Sequence, residues 1–188
     1  MESVTIAEAL AAAAARLAPL HESARLDAEV LLAHCLGRDR SHLYAWPERA
    51  LEPAVRAAFE ALVAERAAGR PVAYLVGRRE FWSLALAVGP ETLIPRPETE
   101  TLVEAVLARV PGEAAWRLAD LGTGSGAVAL ALAAERPACR VVATDRSAAA
   151  LERARANAAG LGIGNVEFRE GDWFVPLAGE RFHVIASN

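Results

Sequence analysis

The chain has 188 residues, 20 basic against 24 acidic side chains for a formal charge of −4, and 54% hydrophobic residues. That length carries one domain or two small ones with a sizeable core, and no apolar run approaches the roughly 20 residues of a membrane span. All 20 basic residues are arginine, which excludes a Schiff-base lysine and a Walker-type phosphate lysine.

The first expected helix runs from Thr5 to Leu17, where Thr5 and Glu8 have the T-x-x-E capping-box spacing. Its alanine-rich stretch is interrupted by Arg16 and lacks the basic start and cleavage site of a signal peptide, so a cytoplasmic protein is expected. A second helix is expected over Ser23–Leu36, with Leu26, Val30 and Leu31 on its apolar face and Gly37 past its end. A short turn or helix follows over Asp39–Trp46. A further helix spans Leu51–Ala68, with Pro53 in its first turn, Phe59, Leu62 and Val63 facing a core, and Gly69 stopping it. Residues 1–70 thus form a small helical domain without a catalytic constellation. His21, His34 and His42 lack metal-ligand spacing. Cys35 and Cys139 lie far apart with no CxxC and no nearby histidine ligand set, so they are expected to be buried thiols rather than a disulfide or metal site.

Residues 71–94 change character. Ala73–Val76 and Trp82–Val88 are expected as two β segments, forming a hairpin that links two domains. In Leu93-Ile94-Pro95-Arg96-Pro97-Glu98-Thr99-Glu100 the two prolines hold the chain extended and then open a helix. That helix carries Leu102, Val103, Val106, Leu107 and Val110 on one side. The segment is placed to bring Arg96, Glu98 or Thr99 beside a ligand.

Residues 95–188 read as alternating strands and helices, which is an α/β parallel sheet with its ligand at the carboxyl ends of the strands. The apolar run Leu118–Leu121 is followed by Gly122-Thr123-Gly124-Ser125-Gly126 and then by the helical run Ala127–Arg136. Glycine lets backbone approach a ligand where a Cβ would clash, and with Ala127 the spacing fits G-x-G-x-x-G/A. Alone, this spacing also suits a nicotinamide or flavin nucleotide. The next strand, Val141–Asp145, ends in an acid 19 residues after Gly126, where a carboxylate accepts hydrogen bonds from ribose hydroxyls. Ser147 caps the following helix, which Gly160 and Gly162 end. A third strand, Val166–Arg169, precedes Asp172-Trp173, an acid and an aromatic suited to an adenine amine and ring. The fourth, Phe182–Ala186, ends in Ser187-Asn188.

Asp120-x-Gly-x-Gly-x-Gly, Asp145 and Asp172-Trp173, each after a successive strand, resemble a class I S-adenosylmethionine-dependent methyltransferase. Leu93–Glu100, Leu118–Gly126 and Ser187-Asn188 closely resemble the bacterial peptide chain release factor glutamine methyltransferases. The likeness covers the whole chain, and its Pro-Arg-Pro-Glu-Thr segment is more specific than the glycines. It implies a Rossmann-like class I sheet behind a helical domain and a hairpin linker. It also implies S-adenosyl-L-methionine as cofactor, held by Gly122, Thr123, Gly124, Ser125, Gly126, Asp145, Asp172 and Trp173. The implied substrate is the glutamine side-chain amide in the Gly-Gly-Gln loop of class 1 release factors; residues 1–70, which carry no chemical constellation, are expected to contact that protein.

The family's substrate motif is Asn-Pro-Pro-Tyr, of which Asn188 is the first residue. Asn188 would be the catalytic and substrate-binding residue, orienting the amide through its side-chain oxygen, an acceptor with two lone pairs. Carboxamide nitrogen is a poor nucleophile, so placement in a near-attack geometry is the main contribution asked of the site. The sequence stops before Pro-Pro-Tyr and before strands five to seven. The sheet is therefore expected to be truncated after strand four, and the 188-residue form to self-associate at that strand without transferring methyl. Adenine-N6 nucleic-acid methyltransferases share a similar motif. However, residues 1–95 and 96–188 each carry 12 acids and 10 arginines. With no basic stripe, duplex nucleic acid is not an expected partner. A nicotinamide oxidoreductase leaves Asp172-Trp173 and Asn188 without a role, and a non-catalytic cofactor-binding fragment is the remaining alternative.

Overall fold

A computed structural model describes residues 3–188, which divide into two compact units at Val76/Gly77. The first unit is helical: α1 (Ile6–Leu17), α2 (Ala24–Leu36), α3 (Arg40–Ala45), α4 (Pro53–Ala67) and α5 (Val72–Val76). Thr5 and Glu8 form the expected capping box, with each side chain bonded to the other's backbone N–H. Gly37 ends α2 in the left-handed conformation, φ 60°.

The face of α2 differs from the expected one. Leu26 is 45% exposed, while Ala24, Asp27, Ala28, Glu29, Leu31 and Leu32 are buried. The small alanines let α1 and α2 pack closely, and the two buried acids are paired rather than solvated. Arg66 donates to Asp27 at 2.7 Å, and Glu29 accepts from Arg25, Arg40 and Tyr44 at 2.7–2.8 Å. Burial works to raise the Glu29 carboxyl, but the bonds from Tyr44, Arg25 and Arg40 outweigh it and hold the group at about 2.

Residues Ala73–Val76, expected as a β segment, are helical. The Pro71 carbonyl accepts from the N–H groups of Tyr74 and Leu75, starting a helical turn, and Val72, Leu75 and Val76 pack on the helical core. A short apolar run has no periodicity that separates strand from helix.

The second unit opens with an antiparallel hairpin, β1 (Arg78–Phe81) and β2 (Leu84–Ala87). Its two-residue turn places Trp82 at φ 52° and Ser83 at φ 58°, the mirror-image turn that matches strand twist. Glu100 accepts from the Trp82 backbone N–H and Glu135 from its indole N–H, both at 2.9 Å, which fixes this conformation. A 3₁₀ turn at Pro97–Thr99 leads into α6 (Glu100–Leu107).

The remaining elements alternate: β3 (Arg117–Leu121), α7 (Ala127–Glu135), β4 (Arg140–Asp145), α8 (Ala148–Leu161), β5 (Val166–Glu170) and β6 (Val184–Ser187). The four strands form a parallel sheet in the order β5-β4-β3-β6. Side chains alternate between its faces. Leu118, Val141 and Ala143 join the core with α6 and α7, and Ala119, Leu121 and Val142 pack with Leu177. The unit is an α/β parallel sheet of four strands, as the alternation of elements implied. Gly160 lies inside α8, and Gly162 alone ends it, at φ 69°.

Candidate functional site

Strands β3, β4, β5 and β6 all point their carboxyl ends to one edge of the sheet, and the loops there enclose two clefts. The larger, about 410 Å³, is lined by Leu121, Gly122, Thr144, Asp145, Arg146 and Gly171, then Asp172, Trp173, Ser187 and Asn188. That volume lies within the range of small-molecule sites. The smaller, about 70 Å³, is lined by Leu93–Arg96, Thr99, Asp120, Gly122–Ser125, Ala127, Val128 and Asn188. Gly122 and Asn188 belong to both, so the two clefts meet at these residues.

The glycine loop is built by β3 ending and α7 beginning. The Gly122 and Thr123 N–H groups both donate to the Thr144 carbonyl at 2.9 Å, and the Gly126 N–H to the Thr123 carbonyl at 2.8 Å. Gly122 and Gly124 sit at φ 71° and 56°, and a Cβ on either would meet no protein atom. The space beside these two glycines is open for a ligand. Gly126, at φ 87°, is different. A Cβ there would come within 3.0 Å of Leu130 and 3.2 Å of Ala154, and the residue lines neither cleft. It lets α7 and α8 approach.

Two acids brace the loop. Asp120 is buried and accepts from the Thr123 hydroxyl at 2.6 Å and the Ala129 N–H at 3.2 Å. Burial pushes its carboxyl up to about 6, against the two hydrogen bonds that favour the anion. Asp145 accepts from the Gly124 N–H and, through its other oxygen, from the Ser147 N–H, each at 2.9 Å. Its position at the end of β4 on the large cleft leaves lone pairs on both oxygens for further donors. Ser147 caps α8, accepting from the Ala150 N–H at 3.2 Å. Asp145 therefore joins loop, helix start and cleft.

Asp172 and Trp173 line the large cleft, and Trp173 is 62% exposed. The loop that carries them is held from below. Gly171 has φ 155°, and a Cβ there would meet Pro176 at 2.8 Å. Arg169 donates to the Pro176 carbonyl at 3.0 Å and pairs with Glu180, which also pairs with Arg117. These arginines hold the Glu180 carboxyl at about 2.

At the junction of the clefts, the Asn188 side-chain nitrogen donates to the Thr99 hydroxyl at 3.0 Å. Its Oδ1 is left as the acceptor. Of the three residues expected beside a ligand in the proline segment, Arg96 and Thr99 line the small cleft and Glu98 does not. Leu121, Thr144, Arg146 and Ser187 also line the large cleft. Reading the sequence named Leu121 and Ser187 only within the segments of resemblance and gave none of the four a site role, since residues flanking an acid or closing a strand carry no motif of their own.

Comparison with known proteins matches residues 8–77 to the family model described as the PrmC N-terminal domain and residues 113–188 to that described as a methyltransferase domain. Several relatives carry the name release factor glutamine methyltransferase. That of Xylella fastidiosa (strain 9a5c) is 56% identical over 87% of this chain and 60% of the relative. That of Vibrio cholerae is 51% identical over 99% of this chain and 65% of the relative. That of Coxiella burnetii is 45% identical over 98% of this chain and 67% of the relative. The chain spans between about three fifths and two thirds of the length of these relatives.

Proposed function

Since the chain belongs to the release factor glutamine methyltransferase family, we propose that the protein carrying it methylates the side-chain amide nitrogen of glutamine in the Gly-Gly-Gln loop of class 1 release factors. S-adenosylmethionine, when bound, supplies a methyl carbon on a cationic sulfonium that is open to in-line displacement. The residues at the sheet edge suit such a cofactor. Open space at Gly122 and Gly124 admits it against the backbone. Asp145 would accept from the ribose hydroxyls, Trp173 would stack on the adenine and Asp172 would accept from its amine. Thr123 and Ser125 would line its path. Gly126 would contribute through helix packing.

The observation that carries the substrate half is Asn188 bonded to Thr99 where the two clefts meet. With its nitrogen held by Thr99, Asn188 would present Oδ1 to an amide N–H and aim the carboxamide nitrogen. No strong base is needed before attack, because the N-methylated cation is far more acidic than the amide. The helical unit would contact the protein substrate, since it holds none of the cleft residues. Charge supports a protein substrate over duplex nucleic acid, because the chain is net acidic.

The test is made in the cell that produces the protein. Replacing Asn188 by alanine in the chromosomal copy should leave the Gly-Gly-Gln glutamine unmethylated by mass spectrometry. Continued methylation would overturn the assignment. In vitro, the chain should bind S-adenosylhomocysteine in preference to NAD, and equal calorimetric affinities would sink the cofactor assignment.

A further inference from the structure

Asn157 lies in the middle of α8, in the run Ala-Arg-Ala-Asn-Ala-Ala. It is 5% exposed. Asparagine is a poor helix former, and alanine surrounds it, so packing alone does not call for an amide here. Its side chain makes three hydrogen bonds, all to backbone. Oδ1 accepts from the Ala87 N–H at 2.8 Å, and Nδ2 donates to the Ala87 carbonyl at 3.0 Å and to the Ser125 carbonyl at 2.9 Å. One amide thus grips the last residue of β2 and the glycine loop together, across separations of 70 and 32 residues.

The segment leaving β2 continues this arrangement. Arg153 is one turn before Asn157 on the same helix face, and it donates to the Glu91 carboxylate at 2.6 Å. Gly89 accepts from the backbone N–H and the hydroxyl of Thr92, closing a turn. Leu93, Ile94, Pro95 and Arg96 then line the small cleft, and Thr99 reaches Asn188. The face of α8 therefore pins the root of one wall of the small cleft and the glycine loop that forms another.

We infer that Asn157 is a positioning residue, which sets the glycine loop for cofactor and couples it to the hairpin that leads to the substrate wall. Ser125 is itself buried, so its carbonyl has no solvent to replace the lost donor. This rests on the cofactor reading above. Two variants separate the contacts. Asn157→Ala removes all three bonds. Asn157→Asp keeps an acceptor for the Ala87 N–H but loses the donor to both carbonyls.

Both variants should weaken S-adenosylhomocysteine binding by tenfold or more in calorimetry, with native far-UV circular dichroism and a cooperative melt. Both should also speed amide hydrogen exchange at Gly124 and Gly126. Affinity within twofold of the unsubstituted chain in a folded variant overturns the inference. Should the variants not fold, the unsubstituted chain decides. Adding S-adenosylhomocysteine should slow exchange at Ala87 as well as in the loop, and an unresponsive Ala87 overturns the coupling. A chain that binds no S-adenosylhomocysteine removes the cofactor reading instead. Ligand-free exchange at Gly124 and Gly126 then still decides the tie, and rates unchanged by Asn157→Ala overturn it.

Discussion

The Asn188 side-chain nitrogen donates to the hydroxyl of Thr99 across 3.0 Å and 89 residues of sequence. In this arrangement the hydroxyl accepts from the amide nitrogen, and the side-chain oxygen is left as the acceptor. Thr99 is buried at the end of the proline segment and Asn188 follows the last residue of β6, so the pair joins a strand end to the wall of the small cleft.

Thr99→Val keeps the shape and removes the hydroxyl. The Asn188 side-chain amide pair should then move toward the resonance positions of an exposed amide in a ¹⁵N–¹H spectrum. S-adenosylhomocysteine affinity should stay within twofold. An unmoved amide pair would show that the hydroxyl does not hold Asn188 in solution.

The two glycines at the ends of Gly124-Ser125-Gly126 should respond differently to alanine. At Gly124 the cost is conformational, since φ is 56° but the added Cβ meets no protein atom. A loss of about 1–2 kcal/mol is expected, with cofactor affinity reduced because the methyl group occupies the ligand's approach. At Gly126 the methyl group runs into Leu130 and Ala154. Overpacking adds about 1–3 kcal/mol to the backbone strain. Urea unfolding of the two variants gives the comparison, and equal losses would contradict the distinction.

Asp145→Ala should weaken S-adenosylhomocysteine binding by roughly 1.5–3 kcal/mol, the scale of charged hydrogen bonds. The fold should persist, but at lower stability, since the Gly124 and Ser147 N–H groups lose their acceptor. Calorimetry and urea unfolding should therefore both register the change. Full affinity in the folded variant would leave Asp145 with its structural bonds only.

Two carboxyls give opposite pH signatures. Asp120 has its value raised from 3.8 to about 6 in the folded state. The folded chain binds this proton more tightly, so its contribution is fully present below pH 3.8 and is lost as pH rises through about 6. A decline of up to about 3 kcal/mol follows from a shift of that size. Glu29 is lowered from 4.5 to about 2, so its contribution is present above pH 4.5 and is lost as pH falls through about 2. Chemical denaturation at stepped pH should show the decline between pH 4 and 7 vanish in Asp120→Asn. The acid-side loss should shrink in Glu29→Gln. An unaltered slope in either variant would refute that group's part.

Much of the frame was legible locally. The capping box at Thr5 and Glu8, the strand before Gly122, the acid ending β4 and the cap at Ser147 all follow from patterns within a few residues. Where the pattern was short or mixed, it misled. Val72–Val76 took a helical turn because Pro71 offered a carbonyl and the helical core offered a surface. The buried face of α2 carries Asp27 and Glu29 because distant arginines neutralise them.

The sequence by itself determined the alternation of elements, the loop between β3 and α7 and the family to which the chain belongs. The first two depend on period and turn chemistry, and the family on the likeness of short residue segments, all of which are short-range. Only the tertiary structure decided that Gly124 faces open space while Gly126 faces Leu130 and Ala154. It alone showed that Asn157 holds Ala87 and Ser125, and that Asn188 is turned by Thr99. These partners come from helices, a hairpin, loops and a strand end far apart in sequence, which the parallel sheet brings together. Which side chains face each other there is set by packing and register across the sheet, which local spacing does not encode.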